Sequence, residues 1–298
     1  MGNNTSTSSH ASTFSRGQGT SSNIRDALPS LPGSQPKNKT GRKVTAQKIK
    51  TAGATGVLAL QEHGLKEVPE ELFQLVNLRT LNLASNSLKI LPTAIGKLTK
   101  LKTMRLDSNK LEALPDLSAL SALTDLSAGG NSLRGAEALG SLPPSLSKLS
   151  LRDNRLGEVP FAVRSGLPAL QVLDLSTNGI DTLPPLAAAL PSLAELILDG
   201  NALRTLGDEL ARPSKLKKLS VKSNRIGARD PVTGGQSISQ VLLTDSAVDS
   251  LELAGNVLDK ADLMDMEGVD AFLSRREKQK NKSLQGGGML ELSVCGLD

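Results

Sequence analysis

From residue 55 to residue 258 one string of apolar and polar positions keeps returning. It reads Leu78-x-x-Leu81-x-Leu83-x-x-Asn86-x-Leu88, and the asparagine place is filled again by Asn109, Asn131, Asn154, Asn178, Asn201, Asn224 and Asn256. Units start at Thr55, Leu78, Leu101, Leu123, Leu146, Leu170, Leu193, Leu216 and Val248; the first seven steps are 22 to 24 residues and the eighth is 32. Leu-x-Leu alternates with period two, which predicts a short strand in each unit. Leucines such as Leu173 and Leu175 then face the core, and Asp174 and Ser176 face outward.

The asparagine follows the strand, where the chain must turn and leave backbone groups without strand partners. A buried carboxamide offers two N–H donors and an accepting oxygen to such groups. Stacked at the repeat interval, the eight asparagines predict a ladder, and loss of one rung predicts a cost of roughly 1–3 kcal/mol. His63 takes this place in the first unit. Beyond it stand Val68-Pro69, Leu91-Pro92, Leu114-Pro115, Val159-Pro160 and Leu183-Pro184. Proline suits the start of a helical turn, so Thr93 to Leu98 and its counterparts predict short helices on the opposite side. The fourth unit departs, with Ala128 for a strand leucine, Ala136 in place of Leu-Pro and a Pro143-Pro144 pair, and predicts an irregular crossing.

This string resembles the leucine-rich repeat. The resemblance implies an α/β solenoid: a curved horseshoe with a parallel concave sheet, short convex helices and a disordered N-terminal tail. Such folds present a broad surface to a partner.

Residues 1–41 are rich in Ser, Thr, Gly and Asn, and too poor in apolar surface to offset ordering entropy, which predicts disorder. Residues 42–54 predict a capping helix through Val44, Ala46, Ile49 and Ala52, and repeats then fill 55–259. The long eighth unit predicts a loop from Gly227 to Gly235 and a helix from Ser237 to Leu243. Within the 260–282 cap, Ala261–Glu267 and Val269–Lys280 predict helices, with Val269, Phe272 and Leu273 over the open core end. Residues 283–298 follow a Gly286-Gly287-Gly288 linker and read either as a loose tail or as an extra strand with Cys295 in the asparagine place.

Composition narrows the function. The chain has no Trp, no Tyr and four Phe, which a thin leucine-filled core tolerates but which leaves few rings for stacking nucleic-acid bases. A single cysteine, Cys295, excludes an internal disulfide and points to a reducing, cytoplasmic compartment. The net charge of +5 is uneven: residues 1–50 hold eight basic and one acidic side chain (+7), and the other 248 hold 27 and 29 (−2). The basic excess belongs to the tail, so nucleic-acid binding is not expected.

Met1-Gly2-Asn3-Asn4-Thr5-Ser6 fits the N-myristoylation pattern, with Gly2 as acceptor. One myristoyl chain holds a membrane only marginally, so a second signal is needed. The run Lys37, Lys39, Arg42, Lys43, Lys48 and Lys50, free of acids, is the candidate for an anionic membrane surface. Its plain alternative is a solvated linker and helix face. A second cluster, Arg275, Arg276, Lys278, Lys280 and Lys282, reads as a solvated helix end.

The position between the strand leucines runs Ala59, Asn82, Arg105, Ser127, Ser150, Asp174, Ile197, Ser220 and Glu252. Neighbouring outward positions add Asp107, Lys148, Arg152, Glu195, Asp199, Lys218 and Lys222. A protein partner is expected on this face, with units six and seven acidic and unit eight basic; an ordinary solvated sheet face is the alternative. No catalytic set can be built from His10 and His63, metal-ligand spacing is absent, and no phosphate-binding glycine loop is present. The expectation is a non-enzymatic monomer without cofactors.

Thr55-Gly56-Val57 and Leu65-Lys66-Glu67-Val68-Pro69 resemble the opening repeat of the leucine-rich repeat-containing protein 57 family, and Ser239 to Arg275 resembles its closing segment through Leu243-Thr244-Asp245-Ser246, Glu252-Leu253-Ala254-Gly255-Asn256 and Met266-Glu267-Gly268. Met1-Gly2-Asn3 matches how that family begins. The resemblance covers residues 55–282 and implies a small intracellular protein, myristoylated at Gly2, peripheral to a membrane and without enzymatic activity. The tail before the first repeat is longer than the family's, and residues 283–298 are additional. The Leu-Pro units also resemble the Ras-group intracellular repeats, which implies a soluble scaffold or regulator in small GTPase or phosphatase signalling as the rival reading.

Overall fold

The computed structural model describes residues 39–160, 163, 165–186, 188–211, 215–285 and 295–297. The expectations for residues 1–38 and for 286–294, including Gly2, lie outside the described residues.

Helix α1 (Lys39–Thr55) leads into β1 (Val57–Ala59). Then follow β2 (Thr80–Asn82), β3 (Thr103–Arg105), β4 (Asp125–Ser127), β5 (Lys148–Ser150), β6 (Val172–Asp174), β7 (Glu195–Ile197) and β8 (Lys218–Ser220). Helix α2 (Gln240–Thr244), β9 (Ser250–Glu252), α3 (Lys260–Met264) and α4 (Val269–Gln285) complete the order. Among the described residues the nine strands form one parallel sheet in sequence order, without a crossover. The unit is a leucine-rich repeat solenoid. Its leucines fill one continuous core, and Leu81, Leu83, Leu173 and Leu175 have no exposed surface.

The asparagine rungs share one donor pattern, each Nδ2 reaching a carbonyl of its own turn and one of the repeat before. Asn109 Nδ2 donates to the carbonyls of Leu83 (3.0 Å) and Leu106 (2.9 Å), while its Oδ1 accepts from Leu88 N (3.1 Å). The carboxamide thus joins its own turn to the repeat before it. His63 keeps the same place: its N donates to Asn86 Oδ1 (3.1 Å) and its ring Nδ1 lies 2.6 Å from Gln61 O.

The residue before the ladder position has a left-handed backbone in every repeat. Glu62, Ser85, Ser108, Asp153, Thr177 and Ser223 have φ between 53° and 60°, and glycines 130, 200 and 255 fill the remaining turns. This regularity was not read from the sequence, because Ser, Asp, Thr, Glu and Gly alternate there without a single residue signature.

Four of the crossings carry 3-10 turns, Glu70–Gln74, Thr93–Lys97, Ala136–Ala138 and Asp208–Leu210, whereas the eighth carries the α-helix α2. Ile95 anchors the second of these turns in the core, and Leu98 and Leu101, just after it, are also fully buried. Pro69 and Pro92 precede the first two. The irregular fourth crossing runs beside the third, with a parallel bridge from Leu114 to Leu139. Glycine is required next, since a Cβ at Gly140 would sit 2.5 Å from the backbone of Pro115 and Asp116.

Three expectations need correction at the ends. Helix α1 packs through Thr45, Ile49 and Ala52, and Val44 is 45% exposed. Positions 45, 49 and 52 share one helical face, and position 44 turns away from it. Second, Arg275 is not a solvated helix end. Its guanidinium turns inward and donates to the carbonyls of Leu243 (2.7 Å), Thr244 (2.9 Å) and Val248 (3.3 Å), capping α2. Phe272, fully buried, lies beneath it. Third, Cys295 does not occupy an asparagine place. Residues 295 and 296 form a turn, and the Cys295 carbonyl accepts from Leu253 N (2.8 Å). In a regular neighbour that bond goes to the residue between the strand leucines, as from Val221 N to Glu252 O.

The strand face as candidate recognition surface

Parallel register places the positions between the strand leucines side by side. Ala59 lies beside Asn82, Asn82 beside Arg105, Arg105 beside Ser127, and the row continues through Ser150, Asp174, Ile197 and Ser220 to Glu252. Arg105, Lys148, Arg152 and Lys218 are exposed on this face, while Asp107, Asp174, Glu195, Asp199 and Lys222 are half-buried.

Serine hydroxyls tie the carboxylates down. Asp199 Oδ1 accepts from Ser220 Oγ (2.6 Å) and Lys222 N (2.8 Å), both in the next repeat. Asp107 Oδ1 repeats the motif with Ser127 Oγ and Gly129 N (2.9 Å). Asp174 accepts from Ser150 Oγ (3.2 Å) on one oxygen and from Ser176 N (3.0 Å) on the other. Three acids nominated as partner groups are therefore also cross-repeat staples. The signal was available in the sequence as an aspartate just past one strand and a serine at the centre of the next, twice over.

The separate acidic and basic zones expected in units six to eight are not independent. Lys218 Nζ reaches Glu195 Oε2 (3.9 Å) and Lys222 Nζ reaches Glu252 Oε2 (4.0 Å). The cause is register: Glu195 and Lys218 are direct neighbours across β7 and β8. Such loose, solvated pairs contribute little and exchange readily for a partner's charges. A shallow depression of about 270 Å³ lies beside them, lined by Ile197 and Ser220 together with Asp199, Lys218, Lys222 and Glu252.

Gly129 shapes the middle of the face. A Cβ there would come within 2.7 Å of Arg152 Cγ and 3.2 Å of Asp107 Oδ1, so the Arg152 stem lies across a notch that only glycine leaves open. Among the described residues no group of three or more His, Cys, Asp or Glu side chains is placed to hold a metal ion.

The family model for the leucine-rich repeat matches residues 56–111 and 144–203. Rabbit (Oryctolagus cuniculus) fibromodulin is 30% identical over 130 residues, which span 43% of this chain and 87% of that relative. The chain belongs to the leucine-rich repeat family. Human (Homo sapiens) leucine-rich repeat-containing protein 58 is 33% identical over 133 residues, 45% of this leucine-rich repeat chain. The match spans only 27% of that relative's length. In fold, the repeats are similar to YopM, a leucine-rich effector protein from Yersinia pestis, with a TM-score of 0.55 at 22% identity over 76% of this chain and 68% of that one.

Proposed function

We propose that this protein is a non-enzymatic adaptor that binds another protein across its strand face. The observation that carries the reading is the unbroken central row from Ala59 to Glu252, which offers one continuous line of outward side chains over nine strands. Arg105 and Arg152 supply exposed cations at its centre, and the Ile197 depression supplies an aliphatic seat. Arginine is over-represented among the few residues that dominate interfaces. Proximity labelling in cells tests this. Arg105→Glu with Arg152→Glu should remove a set of neighbours that Lys89→Glu, away from the face, retains. An unchanged neighbour set in the double variant would overturn it.

The finer reading adds a lipid. The Gly2 to Ser6 pattern is that of a myristoyl acceptor, and the two ends of the repeat region resemble the leucine-rich repeat-containing protein 57 family. A chain held loosely at the cytoplasmic side of a membrane follows. Intact mass of the chain from eukaryotic cells decides it: loss of Met1 with gain of a myristoyl group supports the anchor, and an unacylated chain favours the soluble signalling scaffold.

A further inference from the structure

Within the basic run nominated for a membrane, Lys48 stands apart from Lys43 and Lys50. Lys48 turns its ammonium to the carbonyl of Ala59 (3.1 Å) and satisfies the open edge of β1. Lys43 and Lys50, by contrast, are exposed and stand seven residues apart, two turns along one face of α1.

That face continues onto the repeats. Gly53, three residues beyond Lys50, lies against Leu75, 3.7 Å from where a Cβ would stand. Leu75 is followed by Val76, which is 54% exposed, and by Asn77, whose Oδ1 accepts from Lys100 Nζ (2.8 Å). Arg79 and Lys102 come next in a hydrogen-bonded row at the strand starts: Arg79 N donates to Gly56 O (2.7 Å) and Lys102 N to Arg79 O (2.8 Å). Both side chains are exposed. The row then turns neutral at Thr124 and Ser147, and the acid that borders it is Asp125, whose N also donates to Lys102 O (3.0 Å) and whose Oδ2 accepts from Thr124 Oγ1 (2.6 Å).

Acids are missing from α1 and from the first three strand starts. No Asp or Glu occurs from residue 27 to 61 or from 72 to 106; the four acids between, Glu62, Glu67, Glu70 and Glu71, precede Leu72, on the far side of the first strand and at the start of the first 3-10 turn. Four of the five cations on this flank are lysines: Lys43, Lys50, Lys100 and Lys102, with Arg79. Lysine is a hydrated point charge without a fixed fork, suited to a diffuse anionic layer more than to one carboxylate or phosphate. The two described phenylalanines, Phe73 and Phe272, are buried and offer nucleic acid no ring to stack on.

We propose that this flank, the outer face of α1 with the strand starts of the first three repeats, docks on an anionic lipid bilayer. It deepens the membrane reading above but does not require acylation at Gly2. The probe is the full, unacylated chain sedimented with phosphatidylcholine vesicles with and without phosphatidylserine. Binding is expected only with phosphatidylserine and should fade at high salt. Arg79→Gln, Lys100→Gln and Lys102→Gln together should weaken it about 100-fold, given the usual contribution of a basic residue near such a surface. Lys43→Gln with Lys50→Gln should weaken it independently, whereas Lys217→Gln with Lys218→Gln, at the far end of the same row, should not. Far-UV melting confirms that each variant is folded. Undiminished binding by the triple variant overturns the proposal, as does equal binding to neutral vesicles. Flank-dependent binding of a single-stranded RNA without vesicle binding overturns it in favour of nucleic acid. An acylated chain compared with Gly2→Ala reports the lipid anchor separately, so the two readings fail in different arms.

Discussion

The ladder asparagines look equivalent in sequence, yet their removal should not cost the same. Asn201 Oδ1 accepts from Asn178 N (3.0 Å) and Ile180 N (3.0 Å). Its Nδ2 donates to Leu175 O (3.0 Å) and Leu198 O (2.8 Å), and both carbonyls also accept from a neighbouring rung: Leu175 O from Asn178 (3.0 Å), Leu198 O from Asn224 (2.9 Å). Truncation at 201 therefore leaves those carbonyls served and leaves two N–H groups without the acceptor. Asn178 donates in the same way but its buried Oδ1 has no partner, and the repeat before it is reached through the Asn178 carbonyl, which accepts from Gly157 N (2.9 Å). Truncation at 178 strands no donor and removes an unpaired oxygen. With about 1–3 kcal/mol for each buried group left unsatisfied, Asn201→Ala should exceed Asn178→Ala by about 2 kcal/mol or more. The single-acceptor rungs Asn109, Asn131, Asn154 and Asn224 should fall between. Urea unfolding followed by far-UV circular dichroism measures the difference directly, and comparing two Asn→Ala changes cancels the lost volume. Equal midpoints for the two variants, at equal slopes, would refute the reasoning.

Three further outcomes follow from the same structure. Arg275→Gln should uncap α2 and cost about 1.5–3 kcal/mol, since charge-assisted bonds to several carbonyls are lost; faster amide exchange across 240–244 reports it, and Arg275→Lys should restore only part. Burial holds the Asp249 carboxyl above its ordinary range, against the pull of Lys217 and Arg275. The folded chain then keeps that proton to higher pH than the unfolded chain, so stability falls as pH rises from the ordinary carboxylate value through the raised one. Asp249→Asn should flatten that part of the stability profile, and an unchanged profile would count against it. Thr177, a β-branched residue at φ 54°, should gain about 1 kcal/mol on replacement by glycine, read as a higher unfolding midpoint.

How much was legible from the residues depended on whether they act alone or in pairs across repeats. The strand leucines and ladder asparagines are fixed by their own unit's period, so their places were readable one by one. Arg275 was misread because its partners, Leu243, Thr244 and Val248, come from α2 and the turn after it, and only packing of α4 brings them within reach. The contact between the acidic and basic zones was missed for a related reason: register sets Glu195 against Lys218, and composition summed along the chain cannot see a neighbour 23 residues away. The 3-10 winding was not legible, because the proline before Thr93–Lys97 suits either kind of helix.

What remains for a partner is the part of the strand face that the scaffold does not use itself. Asp107, Asp174 and Asp199 each bind a serine across the repeat boundary, so altering them disturbs the sheet as well as the surface. Arg105 and Arg152 carry no such bond, and Ile197 presents carbon where the rest of the row is mostly polar. Variants at those three positions can therefore change recognition with the fold intact, whereas a loss of binding from an aspartate variant reports the scaffold first. A partner that reads this face should depend on the two arginines and the isoleucine more than on the acids, although the acids are the more numerous feature in the sequence.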